Sequence, residues 1–481
     1  MENKENLSGK GTVSRRQFVK TASTVSAASI FGFQVVPSRV FGANDRINLG
    51  AIGTGGKGAA DIAGAVGAGM NVIALCDVVD IAQTPEPGGG RVEKLVGTRN
   101  DHPNAKFYMD WREMLEKEKD IDAVTISTPD HHHAHASITA MKMGKHVYCQ
   151  KPLTHGIWEA RMMAKVAEET GVKTQMGNQA HAQDHMRRCV ELIRAGMLGN
   201  VNQAYAWTNR PIWPQGMPAY PEKMDVPHNL DWDIWCGPAQ MVDYSDKITP
   251  FNWRGYWEFG TGAFGDMACH IMDMAYWALE LGSPEKIDVE AHGGTDVSCP
   301  IWSKVTYYFP ARGEGTKPVR FIWYDGSVGA EWDDAEWKHV GGEPNLPTAS
   351  VLDGVDPLGK TGFGTIVIGD EGRLYFNRGK PNWMVRPSAG LDGFDFPEET
   401  LSRAPDQDPY KEWMRAIQGG PEPLANFQQA GPFTETVLLG VLAQRLQKSF
   451  EWDAEKMEVK GMPEASEWVR RQYREGWELE V

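Results

Sequence analysis

Asp266, His270, Asp273 and Trp277 fall on one stripe at helical spacing, opposite a second stripe of Phe264, Met267, Ala268, Ile271, Met274, Ala275 and Ala278. The apolar stripe reads as core. The polar one carries none of the Lys and Glu of an ordinary solvated helix face, so it is expected to line a cleft. An imidazole there is a base near neutrality, which removing the proton of a secondary alcohol would require, and Asp266 one turn earlier could orient the ring. In the competing reading Asp266 merely caps the helix or salt-bridges His270.

A second group of residues could hold an anion. Ile47, Leu49 and Ala51 alternate as a short buried strand into Gly53-Thr54-Gly55-Gly56-Lys57-Gly58, and a helical run follows from Gly58 to Ala63. In such a loop Gly53 makes the turn, Gly55 lets the backbone approach a pyrophosphate, and Gly58 allows close helix packing. The apolar strand Val72 to Cys76 ends at Asp77, about twenty residues on, where a carboxylate would accept ribose hydroxyls and repel a 2'-phosphate. The ligand expected is NAD, with NADP disfavoured.

Strand patterns at Asp122–Ser127 and His146–Cys149 alternate with helical ones at Trp111–Lys117, Ala134–Met143 and Trp158–Thr170, the signature of a parallel sheet with crossover helices. Pro85-Glu86-Pro87-Gly88-Gly89-Gly90 breaks the region from Ile81 to Lys106, where a surface loop is expected. Later runs, Lys304–Phe309, Val319–Tyr324 and a hairpin from Thr365 to Phe376, indicate a mostly antiparallel sheet. The fold expected is an α/β Rossmann NAD-binding domain (44–177) followed by an α+β domain with a large, mostly antiparallel sheet (178–450) and a C-terminal tail (451–481) packing on the core.

Thr128-Pro129-Asp130-His131-His132-His133, together with Gly144-Lys145-His146-Val147-Tyr148-Cys149-Gln150-Lys151-Pro152 and the Gly262–Asp273 stretch, resembles the Gfo/Idh/MocA family, and most closely an exported, tryptophan-rich branch of it. The resemblance spans nearly everything after Asn44. It implies that Thr128, Pro129, His133, Gln150 and Lys151 join the glycine loop and Asp77 around the cofactor. It also implies that Lys151 contacts the substrate hydroxyl, that Asp266 and His270 complete the catalytic group, and that the open face of the second sheet makes dimers or tetramers. Gln150 departs from the Glu usual in this motif. Loss of that carboxylate would make Lys151 easier to deprotonate, which leaves the division of labour between Lys151 and His270 open. As a cation near the substrate oxygen, Lys151 would stabilise a developing alkoxide.

Trp207, Trp213, Trp232, Trp235, Trp253 and Trp257, with Asn209, Arg210 and Arg254 among them, suit the faces and hydroxyls of a sugar or simply pack the core. Arg210, Trp213, Trp253, Arg254 and His181 are taken as substrate contacts beside Lys151, Asp266 and His270. The run His131-His132-His133-Ala134-His135 invites a metal, but it falls on the cofactor turn without a helpfully spaced carboxylate or Cys ligand, so no metal is expected. The six cysteines are widely spaced and read as buried thiols.

A net charge of -15 without a basic run argues against nucleic acid and anionic membranes as partners. Residues 1–43, with Ser14-Arg15-Arg16-Gln17-Phe18-Val19-Lys20, a weakly apolar stretch to Val36 and small residues up to Ala43, read as a twin-arginine export signal. Export machinery, a periplasmic location, and a membrane tether if the signal stays uncleaved follow as expectations. The function expected is NAD-dependent oxidation or reduction of a secondary alcohol or ketone on a sugar, glycoside or cyclitol. One rival is a redox-neutral glycoside hydrolase or lyase working through a transient keto sugar, since export would favour a tightly bound cofactor over a free pool. The other is a non-catalytic sugar-binding protein.

Overall fold

The computed structural model describes residues 46–83, 89–359, 361–377, 382–388, 390 and 395–481; the export signal read at 1–43 lies outside them. Six short strands form one parallel sheet: β1 (Asn48–Ile52), β2 (Asn71–Cys76), β3 (Lys106–Tyr108), β4 (Ala123–Ile126), β5 (His146–Cys149) and β6 (Thr174–Met176), in the order β3-β2-β1-β4-β5-β6. This doubly wound order reverses beside β1, so the carboxyl ends of β1 and β4 open a crevice. Helices α1 (Gly56–Gly67), α2 (Gly89–Asp101), α3 (Trp111–Lys117), α4 (His133–Lys142) and α5 (Ile157–Thr170) connect these strands. Helix α2 corrects the surface loop expected between Ile81 and Lys106. Its low apolar content hides it in the sequence, yet Leu95 is buried and Val92 and Leu95 both reach the crevice.

After α6 (Asp184–Arg194) the chain enters a nine-stranded sheet, to which β7 (Val201–Thr208), β8 (Lys286–His292), β9 (Trp302–Phe309) and β10 (Val319–Asp325) contribute, with the expected hairpin at Phe363–Gly369 and Gly372–Asn377. Of its pairings only β7 with β10 is parallel. Alternation decides which face each residue serves. Ala204, Ala206, Phe321, Trp323 and Val367 join the main core, whereas Tyr205, Trp207, Ile322, Tyr324 and Ile366 pack on the other face against Leu346, Val351, Leu352 and Val355. The face expected to lie open is therefore covered in part by its own chain.

The helix Phe427–Leu446 ties the two sheets together. It is mostly apolar, and its residues 433–444 are all buried. Gly431 lets it approach α5, where an added Cβ would sit 2.9 Å from the Ala160 carbonyl oxygen, and the Tyr307 hydroxyl of β9 donates to its Thr436 carbonyl at 2.9 Å. All six cysteines are buried and free.

Candidate functional site

The crevice is a cavity of about 480 Å³ with the glycine loop at one end and Lys151, Arg254 and His270 at the other. At the first end, Gly53 has φ +78° and a Cβ there would meet the Ser127 carbonyl at 2.8 Å. A Cβ on Gly58 would lie 1.8 Å from the Gly53 carbonyl oxygen, so the helix can pack this closely only with glycine. Helix α1 starts without a side-chain cap or an acidic residue in its first turn, which leaves its dipole and amides to an anion. Asp77 holds the loop's entrance: its Oδ2 accepts from the amides of Thr54 at 2.8 Å and Gly55 at 3.2 Å. Burial raises its carboxyl above the usual range, and those amides pull it part of the way back. This cradle fits a dinucleotide pyrophosphate, with Asp77 placed for a ribose.

The expected cofactor residues divide. Gly53, Gly55, Gly56, Lys57, Asp77, Thr128, Pro129, Gln150 and Lys151 line the cavity. Thr54 is wholly buried and serves through its amide, and Gly58 serves helix packing. His133 corrects the expectation: its ring lies between the carbonyl oxygens of Pro152 (2.8 Å) and Thr128 (3.0 Å), bracing the turn from behind. Burial lowers its pKa to about 4.

Gln150 has a local explanation. Its amide nitrogen donates to both oxygens of the fully buried Asp61 (3.0 and 2.9 Å), which also accepts from Lys57 (2.5 Å), Tyr410 (2.6 Å) and Ser127 (2.6 Å). The carboxylate missing at position 150 is supplied by α1, so an amide is the complementary group there. Lys151 is not left without a carboxylate either: Nζ binds Asp266 Oδ1 at 2.6 Å and the Asp266 carbonyl at 3.0 Å.

Helix α7 (Gly262–Ile271) carries Asp266 and His270, and α8 (Asp273–Leu279) starts after Met272. Burial alone would raise Asp266, but Lys151 and Arg254, whose Nη1 is 3.0 Å away, hold it down to about 2. The expected stripe then divides at the junction. His270 faces the cavity, and its Nδ1 meets Asn178 Oδ1 at 2.7 Å. The Asn178 amide nitrogen donates to the Cys269 carbonyl (2.7 Å) and Asp273 Oδ2 (2.6 Å), which fixes the amide so that its oxygen accepts from His270. The Nδ1 of His270 therefore carries the hydrogen of this bond. Asp273, in turn, accepts from His181 Nδ1 at 2.9 Å. His181 and Trp277 stack 4.0 Å apart and line a different cavity of about 270 Å³, which removes both from the cleft.

Arg254 projects into the cleft between Trp253 (4.3 Å) and Trp213 (5.8 Å), and of these two rings only Trp253 lines it. Trp213 is a buried support bonded to Gln215, and Arg210 acts from outside the lining by lowering Asp266. The remaining tryptophans mostly pack: Trp232, Trp235 and Trp253 share one cluster with Phe259, from which Trp235 also reaches the cleft. Sequence reasoning passed over Asp130, which lines the cleft, accepts from the Thr261 hydroxyl at 3.0 Å and lies 3.8 Å from Arg254. Burial outweighs Arg254 and Lys151 and raises it to about 6. It stood in the Thr128–His133 motif, masked by the histidines beside it. Those histidines bond carbonyls: His131 and His132 that of Trp235 (2.9 Å each), His135 that of Trp477 (2.8 Å).

Two family models match the chain and together span more than half of it: an oxidoreductase family with NAD-binding Rossmann fold over residues 47–178, and the C-terminal alpha/beta domain of the same oxidoreductase family over 186–317. A glycosyl hydrolase family 109 protein of Solibacter usitatus is 30% identical over 209 residues, 41% of this chain and 46% of that relative. A levoglucosan dehydrogenase of Pseudarthrobacter phenanthrenivorans is 26% identical over 171 residues, 35% and 36% of the two chains. The chain thus spans half or less of the length of these curated relatives. Among solved structures, the WlbA dehydrogenase of Bordetella pertussis, crystallised with NADH and UDP-GlcNAcA, shares the fold at TM-score 0.54 and 15% identity, covering 85% of this chain and 99% of its own. The chain belongs to the Gfo/Idh/MocA oxidoreductase family.

Proposed function

We propose that this protein is an NAD-dependent oxidoreductase acting on a secondary alcohol or ketone of a sugar or glycoside. The observation that carries this reading is the convergence of Lys151, Asp266, Arg254 and His270 at the end of the same cavity whose other end is the glycine loop with Asp77. When bound, the nicotinamide ring supplies the two-electron acceptor at the alcohol carbon. Lys151 is a fixed cation, oriented by Asp266, for the oxygen whose negative charge grows as its proton leaves. His270 receives that proton on Nε2, with Asn178 holding the ring by Nδ1. Trp253, Trp235 and Pro250 give the cleft apolar walls suited to a sugar face and the exclusion of water.

A redox-neutral glycoside hydrolase is the second reading, favoured by the relatives named glycosyl hydrolase family 109. The same groups would oxidise the sugar, allow elimination of the aglycone and addition of water to the unsaturated keto sugar, and then return the hydride. The Arg15-Arg16 segment supports export, and an exported enzyme gains from holding its cofactor tightly. One experiment tests these points. The exported protein is purified, its cofactor released by denaturation, and the intact protein incubated with a panel of sugars and glycosides while reduced cofactor and aglycone release are followed. Reduced cofactor in step with turnover supports the dehydrogenase, and aglycone release without it supports the second reading. A cofactor-free protein that also fails to bind added NAD defeats both.

A further inference from the structure

A separate cavity of about 330 Å³ shares no lining residue with the cleft. It lies between the start of α5, residues 257–261, the helix Phe427–Leu446 and the C-terminal segment around Trp468 to Gln472. Its charged groups are unevenly matched. Arg471 is engaged by Glu258 Oε1 at 2.5 Å and by His155 Nδ1 at 2.9 Å, and Glu258 also accepts from the Gln240 amide at 2.7 Å. Burial, with Arg471 and Arg445 nearby, pushes His155 well down, so it adds no charge. Glu467 is exposed.

Arg445 differs from these. Its guanidinium stacks 3.5 Å from the Trp468 ring centroid and 5.4 Å from that of Trp257, yet among the described residues it makes no hydrogen bond and no ion pair. Burial draws it down to about 10, while the Glu258 carboxylate nearby pulls the other way. A guanidinium carries five N–H donors in its plane, and stacking covers only its faces. The edge of the half-buried group is left to donate, and an oxoanion presenting two oxygens is the partner that matches its fork. The exposed amides of Gln240 and Gln472 add neutral donors at the rim.

We infer that this cavity is a second small-molecule site, for an oxoanion of the carboxylate or sulfate class, with Arg445 between Trp257 and Trp468 as its charge partner. Calorimetric titration of the full protein at low ionic strength with sodium glucuronate, sodium sulfate and uncharged glucose tests it. Saturable binding of glucuronate or sulfate is expected, and which of the two binds more tightly identifies the source. Arg445→Met should weaken that binding by about tenfold or more, the scale of one charge-assisted hydrogen bond. Gln240→Trp, at an exposed position, should do the same by filling the rim, which keeps the test alive if Arg445→Met fails to fold. Lys151→Met should leave the anion's affinity unchanged. No saturable anion binding, or binding lost in Lys151→Met and kept in both cavity variants, overturns the assignment.

Discussion

Gln150→Glu restores the residue usual in the family motif and should nevertheless harm this protein. The new carboxylate would face Asp61 at the 2.9–3.0 Å now spanned by two amide hydrogen bonds, with both residues buried. Two full charges at about 3 Å repel by about 5 kcal/mol at an effective dielectric of about 20. Donation by Lys57, Tyr410 and Ser127 should absorb roughly half of this, leaving the pair's apparent pKa about 2 units above that of a free Glu, or about 3 kcal/mol. The sign follows from that elevation. A folded-state pKa above the unfolded value costs nothing at a pH of about 3, where both states are protonated, and the cost grows as pH rises to about 6.5 and then stays level. Urea unfolding of the parent and variant across this range should show a gap that opens with pH, and Asp61→Asn added to Gln150→Glu should abolish the pH-dependent part. A gap that is flat with pH, or a variant as stable as the parent at pH 8, would refute the pairing of Gln150 with Asp61.

Asp130→Asn replaces a carboxyl raised to about 6 by a neutral isostere. Because the folded pKa is raised, the carboxyl's stabilising contribution is present at low pH and lost as pH passes through about 6; the variant should match the parent near a pH of about 3 and exceed it by about 2–3 kcal/mol above a pH of about 7, measured by urea unfolding. Asn178→Leu removes the acceptor that orients His270, and should lower kcat by about 10²-fold with little change in KM and a displaced pH–rate profile, read with whichever substrate the panel identifies. Unchanged kcat and profile would count against His270 as the base. Gly58→Ala drives a Cβ into the Gly53 carbonyl oxygen, and should weaken NAD binding by more than about tenfold in calorimetry while leaving anion binding near Arg445 intact.

The parts of this fold legible in the sequence are those whose signals are local. The glycine loop, the strand ending at Asp77 and the alternation in Val319–Tyr324 each follow from a dozen residues of backbone geometry and burial. Helix α2 was missed because Gly89 and Gly90 open it, a composition that normally marks a loop. His181 and Trp277 were misplaced for another reason: one continuous helical stripe puts Asp266 and Trp277 on the same face, whereas the break at Met272 divides them between two cavities. His133 and Asp130 depend on which carbonyl or carboxylate the rest of the chain brings to them, over separations such as the 131 residues between Asp130 and Thr261. Periodicity carries no information on such partners.

The same long-range partners bear on the division of labour between Lys151 and His270 that the motif leaves open. Gln150 in place of Glu does not leave Lys151 short of a carboxylate: Asp266 binds it directly, while Asp61 occupies the neighbourhood of Gln150 and bonds Lys57. Asp266, held down to about 2 by Lys151 and Arg254, has too little proton affinity to act as a base near neutrality. Lys151 is engaged by that carboxylate and by the Asp266 carbonyl, which fixes its Nζ at this end of the cleft. His270 lines this end with its Nδ1 committed to Asn178, so on the proposed reading proton transfer falls to His270 and charge stabilisation to Lys151. Both assignments depend on Asn178 and Asp266, neither of which needs to touch the alcohol oxygen.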